Sequence, residues 1–183
     1  MTRLLPPLLS VRDLPAEELQ AARLDGQLVP LASAWRTLDV ADGPGIRAAE
    51  VCLRLPVRAV PDRLSAAWVW GALAAPPPVP AGCVPTGIRV SVMPGRGQDL
   101  REAALDPDET VTFGAARVTS PLRTLVDLAR EQEHPDLRRR VVLRLLRART
   151  GRTATEVLHA VAESPRLRWK ARVLGALHEA YGQ

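Results

Sequence analysis

Twelve residues constrain this chain more than any other stretch: Thr119-Ser120-Pro121-Leu122-Arg123-Thr124-Leu125-Val126-Asp127-Leu128-Ala129-Arg130. They predict a helix entered from a strand. Ser120 is placed to cap the free amides of the first turn, and Pro121 stands at the first helical position, where a missing N–H costs nothing. Leu122, Leu125, Val126 and Ala129 recur at i, i+3, i+4 and i+7, a stripe that must face a core. Arg123 and Asp127 stand at i and i+4, and Asp127 and Arg130 at i and i+3, so two guanidinium groups can flank one carboxylate on the helix surface. The trio reads either as a network that orients the helix against the preceding strand or as part of a surface offered to a partner.

The chain around this helix has 183 residues, enough for one respectable core with a small appendage. Hydrophobic residues make up 46% but aromatic residues only 3%, so the core must be Leu, Val and Ala with Trp as the large filler. Of the 25 basic residues only Lys170 is a lysine, and Ala, Pro and Gly are also plentiful, so abundant Arg is by itself poor evidence of a binding site. Its distribution says more. Residues 1–113 hold 11 Arg against 13 carboxylates, a net −2, whereas residues 114–183 hold 14 basic against 7 acidic residues, a net +7. A positive field concentrated in one half favours an acidic partner, whether nucleic acid, a protein face or a nucleotide.

Cys52 and Cys83 lie far apart with no His beside them, which indicates neither a disulfide framework nor a metal site. No apolar run reaches the roughly 18 residues of a membrane span, and the prolines within Met1–Leu9 break any signal-peptide pattern. The expectation is a cytoplasmic protein without membrane contact.

In chain order, Asp13 with Pro15 and the acidic pair Glu17-Glu18 opens a helix that stops at Gly26. Leu28–Leu31 and Trp35–Val40 follow as a short hairpin. Asp42-Gly43-Pro44-Gly45 is a turn and a boundary, dividing residues 1–43 from 44–183. Helices are expected over Ile46–Leu55, with Ala48, Ala49, Val51, Cys52 and Leu55 buried, and over Asp62–Leu73, with Leu64, Ala67, Trp68 and Ala72 on one side. Ala74–Pro85, with its run of prolines, reads as a stiff loop. Strands are then expected at Ile88–Met93, Leu100–Leu105, Thr110–Thr112 and Arg117–Thr119, with Pro94-Gly95-Arg96-Gly97 as a hairpin turn and Gly114-Ala115 as another.

After the organising helix, three more are expected, Pro135–Thr150, Thr153–Ser164 and Pro165–Tyr181, with Gly151 ending the first and Thr153/Glu156 forming a capping box. In the first of these Val141, Val142, Leu145 and Ala148 lie together, and Arg140, Arg144 and Arg147 project the opposite way. In the last, Arg168 and Arg172 share a side, with Leu167, Leu174 and Leu177 towards the core. These five arginines are the candidate partner or nucleic-acid surface; solvated faces in an Arg-biased chain are the alternative. His134, His159 and His178 sit on three different elements with no ligand or triad spacing, so no metal, cofactor or catalytic residue is expected.

The dodecamer resembles the T-S-P-x-R-T-x-x-D-L-A-R signature of AbiEi-family antitoxins, the antitoxin half of type IV toxin–antitoxin systems, in their short actinobacterial form. Leu64–Leu73 is similar to a second helix of that family, and the order and spacing of the two extend the likeness from about Asp13 onward. The resemblance makes Ser120, Pro121, Arg123, Thr124, Asp127 and Arg130 the signature scaffold. It implies neutralisation of a nucleotidyltransferase toxin and repression of the antitoxin's own operon. Longer members carry a full winged helix-turn-helix at the N-terminus that binds DNA. Here only about 45 residues precede Gly45, too few for the three helices such a module uses, and the candidate recognition helix holds Glu17, Glu18 and Asp25 against Arg23, a poor match to phosphate. Some proteins with this signature continue into a Vsr-like nuclease; no paired carboxylates with a lysine are found here, and no enzyme is expected. The expected architecture is α+β: a truncated winged-helix-like N-terminus, then a small antiparallel sheet and a helical C-terminal half. An antitoxin-like function, a stand-alone DNA-binding transcriptional regulator and a non-catalytic protein-interaction module all remain open, with a cognate toxin and operator DNA as the partners.

Overall fold

The computed structural model describes residues 6–90, 97–132, 134–165 and 167–182. It is a mixed α+β structure. Near the N-terminus, β1 (Leu8–Leu9), α1 (Ala16–Leu24), β2 (Leu28–Leu31) and β3 (Ala34–Thr37) form a small unit, its antiparallel sheet ordered β1-β3-β2. Leu9, Leu19 and Leu28 pack under Leu14, Ala22 and Trp35 as a miniature core. Asp13 does not start the helix as the sequence suggested. Its carboxylate accepts from the Ser10 amide and hydroxyl, both at 2.8 Å, which turns the chain so that α1 begins three residues later, after Pro15.

The remainder surrounds one larger core that runs from Leu31 to Ala180. Helix α2 (Pro44–Arg54) buries Ile46, Ala48 and Val51; α3 (Arg63–Val69) stops earlier than expected, at Gly71, whose φ of +76° is a left-handed stop. Trp68 and Trp70 are both buried, and the Trp70 indole donates to the Thr119 carbonyl at 2.9 Å. Strands β4 (Val60–Pro61), β5 (Ala81–Pro85) and β6 (Asp99–Ala103) form a second sheet, in which β5 and β6 run parallel. A 3₁₀ turn at Pro107–Glu109 leads to the antiparallel pair β7 (Thr110–Phe113) and β8 (Ala116–Thr119), turning at Gly114-Ala115 as expected.

The central strand of that second sheet falls in the segment the prolines marked as a loop. Its residues are buried on both faces, so no alternation betrays it, and Gly82 fits a close approach there: a Cβ would lie 2.9 Å from Leu55 Cδ1 and 3.3 Å from the Val60 carbonyl, so a larger residue would have to displace the Leu55 side chain. The strand expected at Ile88–Met93 is absent at Ile88–Val90. Its remaining residues, and the turn at Pro94–Gly97 apart from Gly97, lie outside the described residues.

Four helices complete the fold: α4 (Pro121–Glu131), α5 (Leu137–Thr150), α6 (Ala154–Glu163) and α7 (Lys170–Tyr181). Ser120 caps α4 by accepting from the Arg123 amide, Gly151 ends α5 at φ +70°, and Thr153 with Glu156 forms the expected capping box on α6. Helix α4 is the hub, packed against α3, α5 and α7. Its fully buried face is Leu125, Leu128 and Ala129 together with Thr124 and Asp127, so the helix is turned from the expected stripe, and Leu122 and Val126 are only half-buried.

Candidate functional site

Three elements, α3, β6 and α4, converge on a chain of alternating charges that runs along one side of α4. Asp62 follows the last residue of β4 and precedes α3, which leaves its carboxylate wholly buried; it accepts from Arg63 Nε at 3.0 Å and from Arg101 Nε at 2.7 Å. Arg101 comes from β6. Its Nη2 reaches 2.7 Å from Asp127 Oδ2, close enough for charge pairing though not aligned as a hydrogen bond. Asp127 also accepts from Arg123 Nε and Arg130 Nη2, each at 2.9 Å. Arg123 continues to Glu109, and Arg63 donates to Asp99 Oδ2 at 2.6 Å.

The pairing of Arg123 and Arg130 with Asp127 is therefore as the spacing predicted, but not on a surface. Asp127 is 2% exposed and shares its charge with a third guanidinium from a strand. Arg101, Asp62, Arg63, Asp99 and Glu109 joined this network unforeseen. Asp62 carried a signal, an acid between Pro61 and a helix; Arg101 carried none, since pairing across 39 residues is invisible to local pattern.

Burial sets the electrostatics. It raises the Asp62 carboxyl above its ordinary value, and Arg101 and Arg63 pull it back only in part. For Arg101 and Arg123 burial acts against the charge and is outweighed, chiefly by Asp127, so both hold their protons more firmly than a free guanidinium. Beside them the Cys83 thiol, fully buried, is pushed up to about 12 by burial and then by the Asp62 charge, which keeps it protonated and unreactive at neutral pH. Among the described residues no cluster of His, Cys, Asp and Glu could hold a metal. The network's charges are spent on one another, which suits a clamp between β6, α3 and α4.

Outward from Asp127 a groove of about 770 Å³ runs between the start of α4 and the α6–α7 turn, lined by Arg123, Arg130 and Arg168 and by the apolar Leu122, Val126 and Leu167. It places Arg168 with the signature helix. Arg172 lies apart from it, donating to the Glu131 carbonyl at the end of α4. The five candidate arginines thus do not form one surface.

The α5 stripe is turned relative to expectation. Val142, Leu143 and Leu146 are its buried residues, whereas Val141 and Leu145 stand 45% and 44% exposed. Arg140, Arg144 and Arg147 lean on α7 instead of projecting freely: Arg140 pairs with Glu179 at 3.0 Å, Arg144 donates to the Ala180 carbonyl, and Arg147 stacks 5.9 Å over the Tyr181 ring. The helix is apolar at positions enough for either of two faces, and docking of α4 and α7 selects between them. What remains outward is Leu137, Val141 and Leu145, rimmed by Arg138 and Arg149 on one edge and Arg144 on the other. Leu145 and Arg149 also border an open hollow of about 460 Å³ against Val69, Trp70 and Gly71.

Comparison with known proteins adds little to this geometry. No family model and no curated protein matches the chain. Among solved structures, the crystal structure of the RV2827C protein from Mycobacterium tuberculosis is similar at 16% identity and a TM-score of 0.47, over 96% of this chain and 74% of that one. No helix among the described residues is long and apolar enough to cross a membrane.

Proposed function

We propose that this chain is a non-catalytic binding protein of the antitoxin kind, neutralising a nucleotidyltransferase toxin by contact through its basic helical half. The observation that carries the reading is helix α5. It bears six arginines and no acidic residue, and its outward face remains uncovered while the signature charges around Asp127 are consumed internally. A chain that spends its buried carboxylates on its own arginines has those groups committed to architecture, and its excess positive charge is free to meet a partner. The signature likeness of Thr119–Arg130 supplies the class of that partner.

A second role, repression of its own operon, is favoured by the N-terminal unit, where a helix between β1 and β2 and the sheet order β1-β3-β2 follow the plan of a winged module. Glu17 and Glu18 are exposed on α1 and weigh against tight phosphate contact. The deciding experiment is to search the neighbouring reading frames for a nucleotidyltransferase and to co-express the chain with it; a neighbourhood without one overturns the antitoxin reading. Restored growth supports the antitoxin reading, and unrelieved toxicity overturns it. A gel shift on upstream against scrambled DNA at two salt concentrations tests repression: a specific shift surviving the higher salt supports it.

A further inference from the structure

The exposed face of α5 is built for more than charge. Leu137, Val141 and Leu145 stand at i, i+4 and i+8, exposed by 76%, 45% and 44%, and span about 12 Å along the helix at the α-helical rise. Among the described residues the Arg138 and Arg149 side chains on the rim make no hydrogen bond or ion pair, and the Arg144 side chain is held only by a carbonyl. The stripe ends at the hollow beside Gly71, where Arg149 Nη2 lies so close that a Cβ on Gly71 would meet it at 3.2 Å.

We infer that this face is a docking site for an acidic amphipathic helix of a partner protein, its apolar residues laid along Leu137, Val141 and Leu145 with one side chain entering the hollow, and its carboxylates paired with Arg138, Arg144 and Arg149. Charge complementarity selects the occupant. A second copy of this chain joined through the same face about a two-fold axis would set arginines against arginines, because α5 has no carboxylate to offer. Duplex DNA would pair with the rim and leave three aliphatic side chains facing phosphates, a loss of apolar burial with no return. A lipid surface suits a basic amphipathic helix in general, but it is broad and cannot seat in a hollow walled by Trp70 and Leu145. An acidic helix meets all three features, the stripe, the rim and the hollow.

The inference rests on the reading of the chain as a partner-binding protein, and its test is separable from that reading. The full chain is titrated with a short helical peptide carrying Leu at i, i+4 and i+7 and Glu at the flanking positions, with the same peptide in scrambled order, with duplex DNA and with phosphatidylserine vesicles. Binding of the ordered peptide is expected, weakened about tenfold or more by Leu145→Asp and by Arg138→Glu with Arg149→Glu. Leu137→Glu provides a second variant at a position too exposed to disturb folding, and unchanged melting certifies each protein. Equal binding of the scrambled peptide overturns the inference, because charge alone would then suffice. So does absent peptide binding, DNA or vesicle binding that these variants abolish while the peptide stays weak, or a dimer that Leu145→Asp dissociates. If the peptide binds as expected while toxin rescue fails, the docking face stands and the antitoxin reading falls; if Leu145→Asp abolishes peptide binding and leaves rescue intact, the face does not serve the toxin.

Discussion

Asp127 shows what a placed charge becomes when it is buried. Three guanidinium groups surround it at 2.7 to 2.9 Å, and it is nearly sealed from water. Removing its charge leaves the half-buried Arg101 between a neutral amide and the one remaining carboxylate of Asp62. Asp127→Asn is therefore expected to destabilise the fold by about 3–5 kcal/mol, read from urea unfolding; a loss under about 1 kcal/mol would mean the cluster is screened like a surface pair. Cys83 gives a pH dependence of opposite origin. Its folded thiol is raised to about 12 by burial, and Tyr181 likewise to about 12. A raised folded value means the unfolded chain loses its proton first as pH rises, so the contribution of both groups is full below their unfolded values and fades from about pH 9 for the thiol, and about pH 10 for the phenol, towards about 12. Denaturant midpoints should fall across that window, and Cys83→Ala with Tyr181→Phe should flatten the slope while lowering the plateau.

At the scale of elements, caps were legible and facing was not. Ser120, Gly151 and the Thr153/Glu156 box act on groups within a few residues, so their chemistry is contained in the local sequence. Ser120→Ala should cost about 1 kcal/mol by removing the acceptor for the Arg123 amide, and thermal melting that leaves the transition unmoved would show that Pro121 alone sets the helix start. Strand β5 and the face of α5 escaped for a common reason. A strand buried on both sides has no alternation, and a helix with apolar residues on most of its circumference has no unique stripe. In each case the neighbours decide: Leu55 and Val60 press on Gly82, while α4 and α7 claim Val142, Leu143 and Leu146.

Across the whole molecule, the turn at Gly43 that reads as a boundary is spanned by a contact from an exposed serine to a buried carboxylate. The amide and hydroxyl of Ser33, in the turn between β2 and β3, donate to Glu50 Oε1 at 3.0 and 2.7 Å, and Glu50 in α2 is wholly buried. The other carboxylate oxygen has no hydrogen-bond partner, so the Ser33 pair is the larger part of what compensates this group. Ser33→Ala should destabilise the chain by about 1–3 kcal/mol, the cost of leaving a buried acceptor underserved, and Glu50→Gln in that background should recover part of it. Equal melting of Ser33→Ala and the parent would show that the backbone amide of Ser33 suffices for Glu50 and that the apolar packing of Leu8 and Leu31 on the larger core carries the junction.

The sequence by itself determined the class of fold, the order and most ends of the helices, and the pairing of Arg123 and Arg130 with Asp127, because these depend on spacing and on backbone groups within one or two turns. Only the tertiary structure decided that Asp127 is buried, that Arg101 and Asp62 complete its network, and that α5 turns Leu137, Val141 and Leu145 outward. Each of those outcomes is a choice among faces or among partners distant in the chain, and the free energy that makes the choice comes from burying one apolar surface against another, a quantity that exists only once the elements have met.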